Sequence, residues 1–405
     1  MKKTNKLVAL ALTVGLMITA FAGCNPGTTT SEAGSQAASA AESQAAEASG
    51  SNSTTTGTAN DALKIAIISS PSGVDDGSFN QDVYKGITDF IKEHPKSTVK
   101  AVKEPTGDPA AAVQAVTDIV ADYDVLVCSG YQFAGIGSLA QQNPTKKFIL
   151  IDTNPTDADG KEIKVDNIYA MTFAEQEGGF FAGIAAAMET KSNKVAVVNG
   201  VAYPSNVNYQ YGFECGVKYV NETQNKKVEC VELPSQAGTD VNKKNIGGNY
   251  IGSFNDEATG KTVGQQLIQE GCDILFVAAG NSGNGVFTAA KESNGKCMVI
   301  GCDADQYDFG ANGDKNIILT SAIKNLHLAT QRALNMVADG SFKGDNVLLK
   351  ADSDSTGYVS TKGRQQLSDA TLKVLADAYT QVKEGKIVPA SNFSDVTPDT
   401  FTVNK

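Results

Sequence analysis

From Leu63 onward, short apolar runs of strand length alternate with longer segments of helical period. KIAIIS at 64–69 is followed by a predicted helix from Ser78 to His94, which Ser78-x-x-Gln81 opens as a capping box. VKAVKEP at 99–105 precedes Asp108-Pro109, an N-cap and first-turn pair, and the next helix runs through Asp122. DVLVCSG (124–130), KFILIDT (147–153) and NIYAMTF (167–173) read as buried strands. The cycle then restarts with a helix at 174–189, KVAVVNG (194–200), a helix near 206–222 and KVECVEL (227–233). Helices near 256–270 and 285–294 flank DILFVAAG (273–280), and CMVIGCD (297–303) and IILTSAI (317–323) complete the set. Alternating strand and helix with near-continuous apolar strands predicts parallel sheets covered on both faces. Two such runs predict an α/β chain of two doubly wound lobes. Ligands of open α/β sheets bind outside the carboxyl ends of the strands. If the sheets face each other, the ends at Ser69-Ser70, Gly130, Asp152, Gly200, Gly280 and Asp303 converge on one cleft.

The first sixty residues do not share this pattern. Lys2, Lys3 and Lys6 precede an apolar run from Leu7 to Ala20, followed by small residues and Cys24. This is secretory-signal anatomy, so residues 1–23 read as a signal peptide. The ending FAGC resembles a bacterial lipobox, which makes Cys24 the expected lipidated (palmitate-bearing) first residue of the mature chain. Residues 24–61 are almost entirely small and polar, with no large apolar side chain before Leu63. Such a segment cannot offset its chain entropy by burial and is expected to be a disordered tether.

The chain has 405 residues, with 34 Lys+Arg against 45 Asp+Glu, a net charge of −11. Removal of the signal leaves 31 basic residues and a net −14. A charge of that sign argues against binding a nucleic-acid backbone, which requires a clustered basic face. There are two His, His94 and His327, and no CxxC, so neither a zinc site nor any other metal site or cofactor is expected. Cys128, Cys215, Cys230, Cys272, Cys297 and Cys302 fall in or beside apolar elements and read as small buried hydrophobes, with a Cys272–Cys297 disulfide left open.

The strand-end loops carry the chemistry. The loop S-P-S-G-V-D-D-G-S-F-N-Q (70–81) holds two carboxylates, an aromatic and an amide at the start of a helix. The Gly-rich loops at 245–250 and 280–285 match no phosphate-binding pattern and contain no basic residue. Asp75, Asp76, Asp152 and Asp303, with no His at a strand end, suit acceptance of hydroxyl protons from a neutral polyol better than acid–base catalysis.

In order along the chain, D-D-G-S-F-N-Q (75–81), F-A-E-Q-E-G-G-F-F-A-G (173–183), Y-I-G-S-F-N-D-E-A-T-G-K (250–261), A-A-G-N-S-G-N-G (278–285), I-G-C-D-A-D-Q (300–306) and L-T-S-A-I-K (319–324) resemble the basic membrane protein (BMP) family of purine nucleoside receptor lipoproteins. The resemblance covers most of 63–385. It implies the type I periplasmic-binding-protein fold, two lobes joined by three hinge crossovers, and supply of nucleosides to an ABC transporter permease. On this reading 62–171 with 306–340 form the N-terminal lobe and 172–305 with 341–405 the C-terminal lobe, with crossovers near 171–173, 304–308 and 340–344.

By the same resemblance Phe79 stacks on the base. Asn80 or a nearby Asp, Asp76 being in the same motif, meets the base edge, and Asp152 adds a polar contact. Asp303 and Lys324 hold the ribose hydroxyls, and Gly280 lets backbone approach. Phe254 is the expected second aromatic wall, with Tyr250 as alternate. The implied protein is a monomeric, lipid-anchored binding protein on the extracytoplasmic face of the cell membrane, with no enzymatic activity. The alternatives are a sugar receptor on the same fold, a nucleoside hydrolase using the Asp cluster with Ca²⁺, and a ligand sensor for a membrane regulator. Two features depart from the family pattern: extra aromatics in S-G-Y-Q-F-A (129–134) and a polar segment at 238–249.

Overall fold

The computed structural model describes residues 62–403 apart from Phe393. The expected signal peptide, Cys24 and the tether lie outside the described residues. Strands β1 (Lys64–Ser69), β2 (Thr98–Lys103), β3 (Val125–Ser129), β4 (Lys147–Ile151) and β5 (Ile168–Phe173) form one parallel sheet with strand Asp345–Leu349, which pairs beside β5. β1, β3 and β4 are central, and their residues are almost wholly buried on both faces, as near-continuous Ile, Val and Leu require. One face packs on helices Phe79–Glu93 and Leu326–Ala338, and the other on Pro109–Thr117 and the turns that follow β3.

The second sheet contains strands Lys194–Asn199, Glu229–Cys230, Ile274–Ala278, Met298–Gly301, Ile318–Lys324 and the antiparallel Thr356–Tyr358. Helices Glu175–Glu189, Pro204–Thr223 and Asp369–Lys383 cover one face. Glu257–Gln269 and Asn281–Glu292 cover the other. Close helix packing explains the Gly-rich stretch at 178–183: a Cβ on Gly183 would lie 2.2 Å from the Phe213 carbonyl oxygen.

The strand pairing corrects the expected lobe boundaries. Strand Ile318–Lys324 belongs to the second sheet and Asp345–Leu349 to the first, the reverse of the division at 306–340 and 341–405. The chain passes between sheets after Phe173, after Lys324 and after Leu349. The first crossing falls where expected, while the second and third lie about twenty and eight residues later than the expected centres. The crossings are hydrogen-bonded to their surroundings: Ala174 N–H donates to the Leu349 carbonyl, and Asn325 N–H to the Ser355 carbonyl. Most element bounds agree with the periodicity to within a few residues, and Asp108 caps its helix by accepting from the Ala111 N–H. All six Cys among the described residues are free thiols, so Cys272 and Cys297 are not joined.

Candidate functional site

The loop after β1 is shaped by Asp76. Its Oδ1 accepts from the Ser78 and Gln81 N–H groups and its Oδ2 from the Asn80 N–H and the Asn80 Nδ2. A carboxylate offers about four lone-pair positions, and here all are taken. Asp76, not Ser78, therefore serves the N-terminus of helix Phe79–Glu93. The expected capping box does not form. Ser78 makes no side-chain cap bond, and Gln81 Oε1 accepts instead from the Gly77 N–H. Burial pushes the Asp76 carboxyl up from its ordinary value, while these four bonds favour the charged form. Asp76 thus positions Asn80, and its oxygens have no acceptor position left for a ligand.

The released Ser78 hydroxyl reaches across to the other lobe and donates to Asp303 Oδ2 at 2.8 Å. Tyr209 donates to Asp303 Oδ1 at 3.0 Å. Asp152 and Asp303 end strands of opposite sheets and share a left-handed backbone, φ 66° and 67°. Asp tolerates that region because its short polar side chain bonds locally, and such positions cluster at functional sites.

Lys324 lies at the centre, 1 % exposed. Its Nζ is 2.6 Å from the Asp152 carboxylate and 2.9 Å from Glu175 Oε1, and it lies over the rings of Phe79 and Phe173. Burial disfavours its charge, but Asp152, Glu175 and Asp303 together outweigh that and hold it above its ordinary value. Burial, with Glu175 and Asp303 as like charges, pushes Asp152 up to about 7 against the pull of Lys324. One ammonium thus serves a group of carboxylates drawn from both lobes. Removing it would leave buried negative charges unpaired, a cost of about 3–5 kcal/mol.

Lys324, Asp152 and Asp303 border a cavity between the lobes. Asp76, Phe79, Asn80, Asp152, Phe254, Gly280, Asp303 and Lys324 all line it. Of the two proposed second aromatics, Phe254 lines the cavity; Tyr250 lies away from it, packed on Ala202 and Val207 with its hydroxyl on Gln210. Gly200 lies so close beneath Phe254 that a Cβ would fall 2.2 Å from the ring.

The cavity also contains residues that the loop reading did not single out. Tyr131 and Tyr203, one from each lobe, meet as a tilted pair with ring centroids 5.0 Å apart, and the Tyr203 ring lies 6.0 Å from that of Phe254. Tyr131 comes from the aromatic-rich 129–134 segment, whose Phe133 is instead buried in the core of the first lobe. Behind the cavity wall, Glu175 falls within the 173–183 motif, but only Lys324's position shows what it does. Ser129 and Tyr209 carry no local signal. The polar 238–249 segment forms a small hairpin (Gly238–Thr239 with Asn245–Gly247) that does not line the cavity.

A family model described as Bmp, ABC transporter substrate-binding protein PnrA-like, matches residues 63–244 and 236–391. The chain belongs to this family. Among relatives, the ABC transporter nucleoside-binding protein BmpA of Lactococcus lactis subsp. cremoris is 29 % identical over 360 residues, covering 83 % of this chain and 92 % of that protein. Basic membrane protein A1 of Borrelia garinii subsp. bavariensis is 31 % identical over 270 residues, 66 % of this chain and 70 % of that protein. The solved ABC transporter solute-binding protein from Aeropyrum pernix K1 superposes with a TM-score of 0.69 at 22 % identity, over 84 % of this chain and 96 % of that one. Together with the two parallel sheets, this establishes the type I periplasmic-binding fold of Bmp-family proteins. No described helix is long and apolar enough to cross a membrane.

Proposed function

We propose that the chain is a lipid-anchored, extracytoplasmic solute-binding protein that captures a purine nucleoside between its lobes and passes it to an ABC permease. The observation that carries this reading is one aromatic ring from each lobe, Phe79 and Phe254, on the same cavity as Asp303 and Lys324. Aromatic faces bind a flat base with little regard to its edge, and carboxylates accept hydroxyl protons through strong charge-assisted bonds. Asp303 Oδ1 accepts from Tyr209 and the Cys302 thiol, while Oδ2 accepts only from Ser78 and keeps a position that suits a ribose hydroxyl. The name of the L. lactis relative points to the same ligand class.

Several contacts draw the lobes together. Besides Ser78 with Asp303 and Lys324 with Asp152, Ser72 donates to the Phe254 carbonyl and Gln306 Nε2 to the Gly77 carbonyl. Closure is then a hinge motion at the three crossovers, and the closed form is the one that docks on the permease. The monomeric chain would be held at the membrane through Cys24 and its tether. A hydrolytic role is disfavoured. Asp152 and Glu175 are bound to Lys324 and Asp76 is spent on a helix terminus, so among the described residues no free carboxylate set is assembled to bind a cation.

Isothermal titration with guanosine, inosine, adenosine and cytidine tests the reading. Purine nucleosides are expected to bind most tightly, and absence of heat with all four refutes it. Binding of pentoses or hexoses in their place would identify a sugar receptor.

A further inference from the structure

Apart from Asp152 Oδ1, which is ion-paired with Lys324 at 2.6 Å, two buried side-chain atoms on the cavity have no hydrogen-bond partner: Asn80 Oδ1 and Ser129 Oγ. Both residues are at most 1 % exposed. Buried polar atoms are almost always paired, and each exception calls for an explanation. The Asn80 amide nitrogen is fixed by Asp76 Oδ2 at 2.8 Å and Ser70 Oγ at 2.9 Å. The atom left open is therefore a carbonyl oxygen, which can only accept. Ser129 ends β3, between β1, which leads to Ser70, and β4, which leads to Asp152. Its backbone carbonyl is taken by Gln132 Nε2, but its hydroxyl, which can both donate and accept, is not. Asn80 opens the helix that follows β1 and is tied to Ser70 at the end of that strand, which neighbours β3, and both open atoms belong to residues that line the same cavity.

We propose that Ser129 is a ligand-contacting residue. Its hydroxyl donates to an acceptor atom on the edge of the bound base, beside an N–H taken by Asn80 Oδ1. The inference rests on the nucleoside reading above and deepens it. The edge required carries an N–H next to an acceptor, as hypoxanthine, guanine and adenine do, whereas unsubstituted purine has no N–H on that edge. The floor reads the base, while Asp303 and Lys324 lie on the opposite lobe.

The test uses the mature protein and Ser129→Ala, titrated with inosine, guanosine, adenosine and purine riboside, together with thermal melting of the ligand-free forms. Ser129→Ala is expected to bind its best nucleoside at least fivefold more weakly and to melt, ligand-free, no lower than wild type, because it removes an unpaired buried hydroxyl. Wild type is expected to prefer the three N–H-bearing nucleosides over purine riboside. Affinities within twofold of wild type, or a lower ligand-free melting temperature that accompanies weaker binding, overturn the proposal. A second readout is the occupancy of ligand carried through purification, measured by native mass spectrometry. If no nucleoside binds but carried ligand is retained less by Ser129→Ala, the nucleoside reading falls and the contact at Ser129 stands. If nucleosides bind wild type and Ser129→Ala equally, the contact falls and the nucleoside reading stands.

Discussion

Replacing Asp303 by Asn isolates the role of one carboxylate with little change of shape. Asp303 has φ 67°, a backbone that Asn tolerates and Ala does not, so Asn avoids the strain that truncation would add. The carboxylate accepts from Ser78 at 2.8 Å on Oδ2, and from Tyr209 at 3.0 Å and the Cys302 thiol on Oδ1, which leaves one acceptor position, on Oδ2. Asn keeps a single oxygen, and the Ser78 and Tyr209 hydroxyls compete for it. A ligand hydroxyl then loses at least one charge-assisted bond, worth about 1.5–3 kcal/mol, or about 10- to 150-fold in affinity. In the empty protein two effects oppose each other. Removing the Asp303 charge relieves a like-charge repulsion with Asp152 and loses an attraction to the Lys324 ammonium. Calorimetric titration with inosine at pH 7.5 is expected to show a loss of at least tenfold, with a ligand-free melting temperature near that of wild type. Affinity within threefold of wild type would refute the assignment of Asp303 to the ligand.

Other perturbations follow from the same geometry. Phe79→Ala removes one aromatic face and is expected to weaken nucleoside binding more than tenfold, about 1.4 kcal/mol or more, by titration. Gly200→Ala places a methyl against the Phe254 ring and is expected to weaken binding severalfold by tilting that ring while the fold melts normally, and unchanged affinity would count against Phe254 as a wall. Burial pushes Glu214, remote from the cavity, up to about 7. Its folded pKa lies above the unfolded value, so the native state binds more protons between about pH 4.5 and 7. Stability therefore falls as pH rises through that window, by at most about 3 kcal/mol for a group of this burial. Glu214→Gln is expected to flatten that part of the melting-temperature profile between pH 5 and 8, and a profile identical to wild type would exclude Glu214 as its source.

Much of the fold was legible because it is encoded locally. Buried parallel strands must be apolar throughout, so KIAIIS, VLVCS and ILFVA declare themselves, and Asp108-Pro109 marks a helix start by its own chemistry. Eight predicted ligand-site residues line one cavity because the carboxyl ends of parallel strands converge by topology, whichever ligand they serve. The failures are nonlocal. IILTSAI reads as a strand in any context, but its sheet is set by pairing with Met298–Gly301, so the lobe boundary was misplaced. The capping box at Ser78 was a sound local inference that Asp76 displaced by filling every position at that helix end.

What the sequence determined by itself was the alternation of elements, the α/β class and the residue types gathered at strand ends, since period and composition act over a few residues. What only the tertiary structure decided was partnership. The acceptor positions of Asp76 were filled by four local donors, and Glu175 was recruited to Lys324. Phe254 was placed on the cavity and Tyr250 away from it, and the Ser129 hydroxyl was left without a partner. Each depends on groups tens to hundreds of residues apart, or on which of several nearby acceptors is already filled. Hydrogen-bond capacity is finite, so the identity of the free atoms appears only when all the donors are in place.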